Sequence, residues 1–310
     1  METEKMKEYI MDFSLDNCAL GNQGYNRILL QLFGYQGHGK SSFINSCKYV
    51  IDDSEYREFA NVAKGENESE TRKRSSYKLT ENVTLVDNRG AGKMSKMETG
   101  EIYLQLGNFL PLDKEVEWQT NFGDMVNKVL RSEGQEVAAD FIVPIFVYSG
   151  KTGMGKDADL SEIISSAREI TGIDPAVVIT HELCISADKL KQLGDRFREK
   201  GARNIYPVEN YTEKDKLKTR GKHTAILKCL YESLMDVEFR MNNKLDPIQE
   251  RIQRKEFLIS YAHNRALEKQ KEKYEHERFL EKKAMERALE EERERTRQEK
   301  ARNKPWYQLW

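Results

Sequence analysis

Short apolar runs recur along the chain up to about Asn242, and each is separated from the next by a longer polar or amphipathic stretch. The runs are rich in β-branched side chains and too short for buried helices, which favours strands. The predicted strands are 27–33, 83–87, 141–148, 176–181 and 204–210. Because these runs are apolar nearly throughout, we expect helices to cover both faces of their sheet.

Amphipathic segments between the strands predict helices. One begins directly after the first strand, at Lys40, and another begins at Asp159, where Glu162 three residues later completes a capping-box pattern. Further predicted helices lie at 186–201, at 223–237 and within the long connection 92–140. Alternating strands and helices predict an α/β fold, a three-layer sandwich built around a mainly parallel sheet.

After Pro247 the pattern changes to a charged one. Between positions 265 and 304, 25 of 40 residues are charged, with both signs interleaved and no glycine or proline. This composition predicts a long helix supported by ion pairs one turn apart. Apolar residues recur every seven positions at Leu245, Ile252, Ile259 and Ala266, but the spacing is not sustained. A coiled coil and a solitary charged helix therefore both remain open.

Composition excludes several classes of function. The 51 basic and 52 acidic residues give a formal net charge of -1, so the chain has no global attraction to nucleic acid or to an anionic membrane. The four cysteines lie far apart without metal-ligand spacing, which is typical of reduced thiols in an intracellular protein. No apolar run reaches the length of a membrane span, and the N-terminus lacks a secretory signal. We expect a cytoplasmic protein that binds no nucleic acid.

The stretch LFGYQGHGKSSFINS, positions 32–46, contains the pattern GxxxxGKS between a predicted strand and a predicted helix. Glycines at these positions let backbone N–H groups turn toward phosphate oxygens, and the helix N-terminus adds attraction for anions. Lys40 can reach the β- and γ-phosphates of a nucleotide, and the Ser41 hydroxyl can ligate Mg²⁺. The predicted nucleotide-binding residues are Gly34, Gln36, Gly37, His38, Gly39, Lys40, Ser41 and Ser42.

A second motif, DxxG, follows the strand predicted at 83–87. Asp87 ends this strand and is predicted to hold Mg²⁺, and Gly90 lies where a γ-phosphate could be sensed. Thr71 is the candidate for a hydroxyl that closes over the metal. Ser69, Ser75 and Ser76 are rival candidates, and a loop threonine without a role is a further alternative.

The phosphate loop followed by FINS, the DxxG motif, VVITH and YPVENYT together resemble the interferon-induced protein 44-like group of GTPase-like proteins. The resemblance covers roughly Tyr25 to Asp236. It implies a P-loop NTPase fold of the Ras-like GTPase type, GTP or GDP with Mg²⁺ as ligands, and a cytoplasmic role in the innate immune response.

The chain departs from the GTPase pattern at two places. A guanine-reading loop usually runs N/T-K-x-D, whereas this chain has Thr180, His181, Glu182 and Leu183. Thr180, His181, Glu182 and Asn210 are predicted to line the base. Tyr211 is predicted to flank it together with Asn210. The residue after DxxG is Ala91, not the glutamine that orients water in many GTPases, so slow or partner-dependent hydrolysis is expected. Arg72, Arg74 and Arg89 belong either to an internal arginine finger or to a solvated basic loop.

The predicted organisation is an N-terminal extension (1–24), a P-loop GTPase-like domain (25–242), a charged helical or coiled-coil tail (243–304) and an aromatic C-terminus (305–310). This terminus, PWYQLW, is either a docking peptide or a simple exposed end.

The motifs and the tail are compatible with two main functions. One is a guanine-nucleotide switch whose tail binds a partner or a second copy. The other is a non-catalytic scaffold with a degenerate nucleotide domain and a self-associating helix. An ATP-using enzyme is the third alternative.

Overall fold

The computed structural model of the chain describes residues 2–62, 73–132, 139–152 and 160–302. Its strands are β1 (Arg27–Gly34), β2 (Lys73–Lys78), β3 (Val83–Asp87), β4 (Lys114–Glu115), β5 (Asp140–Ser149), β6 (Ala176–Thr180) and β7 (Asn204–Val208). Its α-helices are α1 (Glu2–Asp12), α2 (Lys40–Asp52), α3 (Lys96–Leu106), α4 (Phe122–Arg131), α5 (Leu160–Thr171), α6 (Ala187–Glu199), α7 (Arg220–Met241) and α8 (Pro247–Arg302). Asp159, Thr71 and the aromatic C-terminus 305–310 lie outside the described residues.

The described strands form one seven-stranded sheet in the order β4-β2-β3-β1-β5-β6-β7. Strands β3, β1, β5, β6 and β7 are parallel, and β2 runs antiparallel to β3 and to β4. The five strands predicted from apolar runs are all present and are the five parallel ones. The expectation of a mainly parallel α/β sheet is therefore confirmed.

Strand β2 was not predicted, because its sequence, KRSSYK, is polar. Ser75 and Ser76, treated as loop residues, pair with Asp87 and Val86 of β3. The strand lies near the edge of the sheet, where three of its six residues are partly buried and two are exposed, so no apolar pattern is needed there.

Helices cover both faces of the sheet and create two apolar clusters. Alternate residues of β5 enter different clusters: Val143 and Ile145 belong to the first, and Phe146 and Tyr148 to the second. The first cluster also contains residues of α1, α2 and α7, and the second contains residues of α3 to α6. The period of two along the strand thus confirms the predicted three layers.

The chain divides into two compact units, one up to Ala262 and one from His263 onward. The first unit includes α1, whose Tyr9 hydroxyl donates to Glu238 of α7 at 2.6 Å. It also includes the first turns of α8, where Leu258, Tyr261 and Ala262 are buried. Tyr103 of α3 contacts the ring of Tyr261 edge to face, so these turns pack against α3.

The second unit is the charged part of α8. Lys273 and Glu277 form an ion pair of the predicted four-residue spacing at 3.8 Å, and Arg265 pairs with Glu268, three positions away, at 2.8 Å. The prediction of a long charged helix is confirmed, whereas the coiled coil stays a prediction. Across the described ranges, no helix has both the length and the apolar composition needed to cross a membrane.

Candidate phosphate-binding site

The parallel strands of the sheet end at one edge and bring the predicted site residues together there. Register pairs Asp87 with Leu32, Gly34 with Val147, and Thr180 with both Ser149 and Val208. Ligands of open α/β sheets bind at this carboxyl edge. The motifs are far apart in sequence but adjacent here because parallel strands share a direction.

The loop between β1 and α2 has the backbone geometry that its glycines allow. Gly37 and Gly39 have φ values of 74° and 90°, in the left-handed region. A Cβ on Gly34 would lie 2.4 Å from the carbonyl oxygen of Val147, so no other residue fits there. Helix α2 begins at Lys40, and its free N–H groups therefore face the loop, as an anion site requires.

The Lys40 side chain is buried within the loop. Its Nζ donates to the carbonyl oxygen of Tyr35 at 2.9 Å. Burial lowers the pKa of this ammonium, and the charge of Asp87 opposes that effect. A Cβ on Gly90 would lie 2.5 Å from Lys40 Nζ, which places the DxxG glycine directly against the ammonium group. The two motifs therefore form one site.

Ser41 and Asp87 supply oxygen ligands that suit Mg²⁺. The Ser41 hydroxyl donates to Asp87 Oδ2 at 2.6 Å, and Asp87 is almost fully buried at the end of β3. Mg²⁺ in nucleotide sites typically takes one or two protein oxygens, with phosphates and water completing its shell. Within the described ranges, no cluster of three or more His, Cys, Asp or Glu residues could hold a metal by itself. The donor set present thus fits a nucleotide-bound Mg²⁺ rather than an all-protein metal site.

Backbone hydrogen bonds join the DxxG loop to the phosphate loop. Gln36 N–H donates to the carbonyl oxygen of Ala91 at 2.8 Å, and Ala91 N–H donates to that of Gly34 at 3.2 Å. On the other side of the phosphate loop, Ser42 lies in the first turn of α2, where its carbonyl oxygen accepts the Ser46 hydroxyl at 2.8 Å.

Thr180 and Asn210 contact the phosphate loop from the opposite direction. The Thr180 hydroxyl donates to the carbonyl oxygen of His38 at 2.9 Å, and Asn210 Nδ2 donates to that of Gly39 at 3.4 Å. Both side chains are buried, so in this structure they brace the loop. Tyr211 is also fully buried and packs edge to face on Tyr49, so the prediction that its ring flanks a base is wrong.

Two carboxylates, Glu182 after β6 and Glu209 after β7, lie near each other. The sequence analysis predicted only Glu182 as a site residue. His181 has a left-handed backbone with φ 60°, and the following Glu182–Cys184 turn leaves the Leu183 side chain 73% exposed. Leu183 N–H donates to Glu209 Oε2 at 2.9 Å. Burial, with the nearby negative charge of Glu209, raises the pKa of the Glu182 carboxyl. Glu209 lies within the YPVENYT stretch, but only Asn210 and Tyr211 of that stretch were predicted to contact the base.

His38 is held in a single neutral form at the centre of the loop. Its Nδ1 accepts the Ser149 N–H at 3.1 Å, so the proton of the neutral ring resides on Nε2, 3.4 Å from the Thr152 hydroxyl. Burial lowers the pKa of His38 to about 3, and the charge of Lys40 adds to this effect. The sequence analysis did not identify Ser149 and Thr152. Both follow the strand predicted at 141–148, and the end of a parallel strand is where site residues are expected.

Arg74 and Arg89, the two described arginines of the predicted basic loop, are each held by contacts with other residues. Arg74 is completely buried, with its Nε donating to Asn88 Oδ1 at 3.0 Å, and burial lowers its pKa to about 9. The solvated-loop interpretation is therefore wrong for Arg74, which instead fixes β2 to the DxxG loop. Arg89 lies over the Trp118 ring at 4.7 Å. Arg72 lies outside the described residues.

No protein-family model and no curated protein matches the chain. Among solved structures, it is similar to the elongation factor SelB from Methanococcus maripaludis in complex with the GTP analogue GPPNHP, with 16% identity and a TM-score of 0.34. That match covers 70% of this chain and 34% of SelB. Two mutational variants of SsGBP match with 13% identity and a TM-score of 0.32, covering 69% and 78% of this chain and 57% and 65% of theirs. The chain thus spans less than two thirds of each of these proteins, and likeness at this level does not bear on its ligand.

The sheet order, the glycine loop between β1 and α2 and the DxxG loop against Lys40 are features of the chain itself. Together they give it an α/β fold with a mainly parallel sheet and a glycine-rich loop before α2, followed by a long C-terminal helix.

Proposed function

We propose that the chain binds guanine nucleotide with Mg²⁺ and acts as a switch with slow or partner-dependent GTP hydrolysis. One observation carries this proposal: Lys40, the Ser41–Asp87 pair and Gly90 meet at the carboxyl edge of the sheet, at the N-terminus of α2. An ammonium, a hydroxyl–carboxylate pair and inward-facing backbone N–H groups are the parts that hold a nucleoside triphosphate.

Each group has a role that follows from its chemistry. The N–H groups of the phosphate loop would bind the α- and β-phosphates, and Lys40 would bridge the β- and γ-phosphates. Ser41 and Asp87 would hold Mg²⁺, which neutralises phosphate charge when it is bound. Thr180 and Asn210 would keep the loop in shape, because both donate to its carbonyl oxygens. Gly90 would report the presence of a γ-phosphate to α3.

Guanine recognition is assigned to the segment after β6. Guanine presents two N–H donors on one edge, so it requires a carboxylate acceptor, which Leu183 cannot supply. Glu182 is the proposed acceptor, since it is partly buried at this edge and neighbours Glu209. The innate immune role and the interferon-induced 44-like relationship are carried by the sequence resemblance alone and are part of the proposal.

The charged tail is proposed to bind a protein partner or a second copy of the chain. Its support is a set of apolar side chains in the second unit that are at least half exposed, among them Phe279, Leu280 and Met285. Exposed apolar residues on a charged helix are typical of a surface that binds another helix.

Equilibrium binding of fluorescent GTP, GDP and ATP analogues with Mg²⁺ tests the switch. We expect the wild type to bind the guanine analogues preferentially and Lys40→Ala to lose binding. Lys282→Ala, which removes an exposed charge from the tail, is the matched control and should bind like the wild type. Equal binding of ATP would contradict guanine selectivity. Absence of all binding would refute the switch and favour the scaffold alternative.

A further inference from the structure

The residue that follows DxxG, Ala91, faces the apolar core and not the phosphate loop. The Ala91 side chain is completely buried in the second apolar cluster, together with Phe33 and Met94. Its backbone is fixed by hydrogen bonds to Gly34 and Gln36 on the phosphate loop. A longer side chain at position 91 would therefore enter the core and point away from a bound phosphate. A water-orienting group must come from elsewhere in the site.

Three described basic or imidazole side chains near the site, those of Arg74, Arg89 and His38, already contact other residues. Arg74 is buried and bonded to Asn88, and the Arg89 guanidinium lies over the Trp118 ring. His38 contacts Ser149 through one ring nitrogen and Thr152 through the other. Each of these three side chains is therefore already held by a contact with another residue.

The Gln36 backbone lies where the phosphate loop and the DxxG loop meet. A Cβ on Gly90 would be 3.0 Å from Gln36 N, 3.1 Å from Gln36 Cα and 2.5 Å from Lys40 Nζ. Gln36 therefore borders the same point as the ammonium group that would bind the γ-phosphate. Its side chain is only partly buried, and no hydrogen bond joins its carboxamide to another residue of the described ranges.

The carboxamide has the chemistry that the missing glutamine would have supplied. Its oxygen accepts a hydrogen bond from a water molecule, and its NH₂ group can donate to a phosphate oxygen at the same time. Water held in this way is aligned with the γ-phosphorus, and positioning of this kind is the main contribution of proteins to phosphoryl transfer.

We propose that Gln36, in the phosphate loop itself, orients the water that hydrolyses GTP in this protein. The inference rests on the proposed nucleotide binding. The water oxygen forms a bond to the γ-phosphorus while the bond from this phosphorus to the β–γ bridging oxygen breaks. The bridging oxygen keeps the electron pair and leaves with GDP. Both protons of the water end on the released inorganic phosphate, which equilibrates with solvent.

Single-turnover hydrolysis of GTP labelled in its γ-phosphate tests this role in the full-length chain with Mg²⁺. We expect Gln36→Ala to lower the hydrolysis rate constant by about 100-fold, the usual effect of losing one oriented transition-state contact. Its affinity for a fluorescent GTP analogue should change by less than about threefold, because the backbone contacts of the loop remain. Gln36→Asn, which keeps the amide, should retain more activity than Gln36→Ala.

Two control variants make the outcomes distinct. Gln249→Ala removes an exposed glutamine at the start of α8 and should hydrolyse GTP like the wild type. Ala91→Gln should not rescue Gln36→Ala, since the new side chain would enter the core. If Gln36→Ala binds GTP and hydrolyses it at the wild-type rate or faster, the role of Gln36 is refuted while nucleotide binding stands. GTP binding without measurable wild-type hydrolysis also refutes it, and absence of GTP binding refutes the proposed function as well.

Discussion

Replacing Gly90 by alanine probes the contact between the two motifs with the smallest available change. The Gly90 backbone lies outside the left-handed region, so alanine is conformationally acceptable and only crowding opposes it. The added methyl group would lie 2.5 Å from Lys40 Nζ and 3.0 Å from Gln36 N. The ammonium is the more movable of these two neighbours, so Lys40 must shift and the phosphate-loop backbone must yield by a few tenths of an ångström.

Both stability and nucleotide affinity should fall. Overpacking of one methyl group in a tight site costs about 1–3 kcal/mol of unfolding free energy. A displaced Lys40 also loses its phosphate contact, and a hydrogen bond to a charged group contributes about 1.5–3 kcal/mol. This second loss corresponds to a decrease in GTP affinity of about 10- to 150-fold.

The assay is denaturant unfolding without nucleotide, together with titration of a fluorescent GTP analogue. Gly221→Ala is the matched control, because a Cβ there meets nothing within 4 Å and Gly221 lies in the first turn of α7. That variant should be as stable as the wild type or more stable, by up to about 1 kcal/mol, and should bind GTP normally. If Gly90→Ala has wild-type stability and wild-type affinity, then Gly90 does not press on Lys40 and the two loops do not form one site.

Three further predictions follow from burial, connectivity and the donor set. Because burial lowers the pKa of His38 to about 3 from its ordinary 6.5, the unfolded chain takes up a proton first as the pH falls. Stability should therefore decrease below about pH 6.5 by up to about 1.4 kcal/mol per pH unit. His38→Asn should show a shallower decrease in urea unfolding between pH 7 and pH 5, and equal slopes would contradict the assignment. A chain ending at Ala262 should unfold cooperatively and bind GTP. A chain ending at Asn242 should be strongly destabilised, because it lacks the buried Leu258. Calorimetry compares the unfolding temperatures of the two chains, and equal values would contradict this prediction. Ser41→Ala should lower GTP affinity in Mg²⁺ by about tenfold but leave affinity in EDTA nearly unchanged, and an equal loss in both buffers would argue against a metal ligand.

The residues that anchor the start of the C-terminal helix could not be identified from the seven-residue spacing. That spacing includes Ile252, which is 42% exposed, and Ile259, which packs partly buried against the second cluster. The buried positions are Leu258, Tyr261 and Ala262. The buried face is determined by α3 and not by a regular repeat, because Tyr103 provides the surface on which Tyr261 packs. A search for a heptad could not find that partner.

The candidate site was predictable where its residues are contiguous in sequence. The loop from Gly34 to Ser41 and the spacing of Asp87 and Gly90 were read directly from motifs, and both lie at strand ends as expected. The structure adds how these groups meet. Crowding between Gly90 and Lys40, and the burial of Ala91, depend on the packing of β3 beside β1 and cannot be read from either segment alone.

The sequence by itself determined the five parallel strands, the helix that follows the first of them, the phosphate loop and the long charged helix, because these depend on local periodicity and on neighbouring residues. Only the tertiary structure decided that polar β2 is a strand, that Arg74 is buried, and that His38 is kept neutral by burial, with its Nδ1 accepting the Ser149 N–H. His38 and Ser149, whose ring and N–H are in contact, lie 111 positions apart in the chain. Segment β2 is a strand because it pairs with β3. Contacts over such separations arise when the sheet assembles, and no pattern within one segment encodes them.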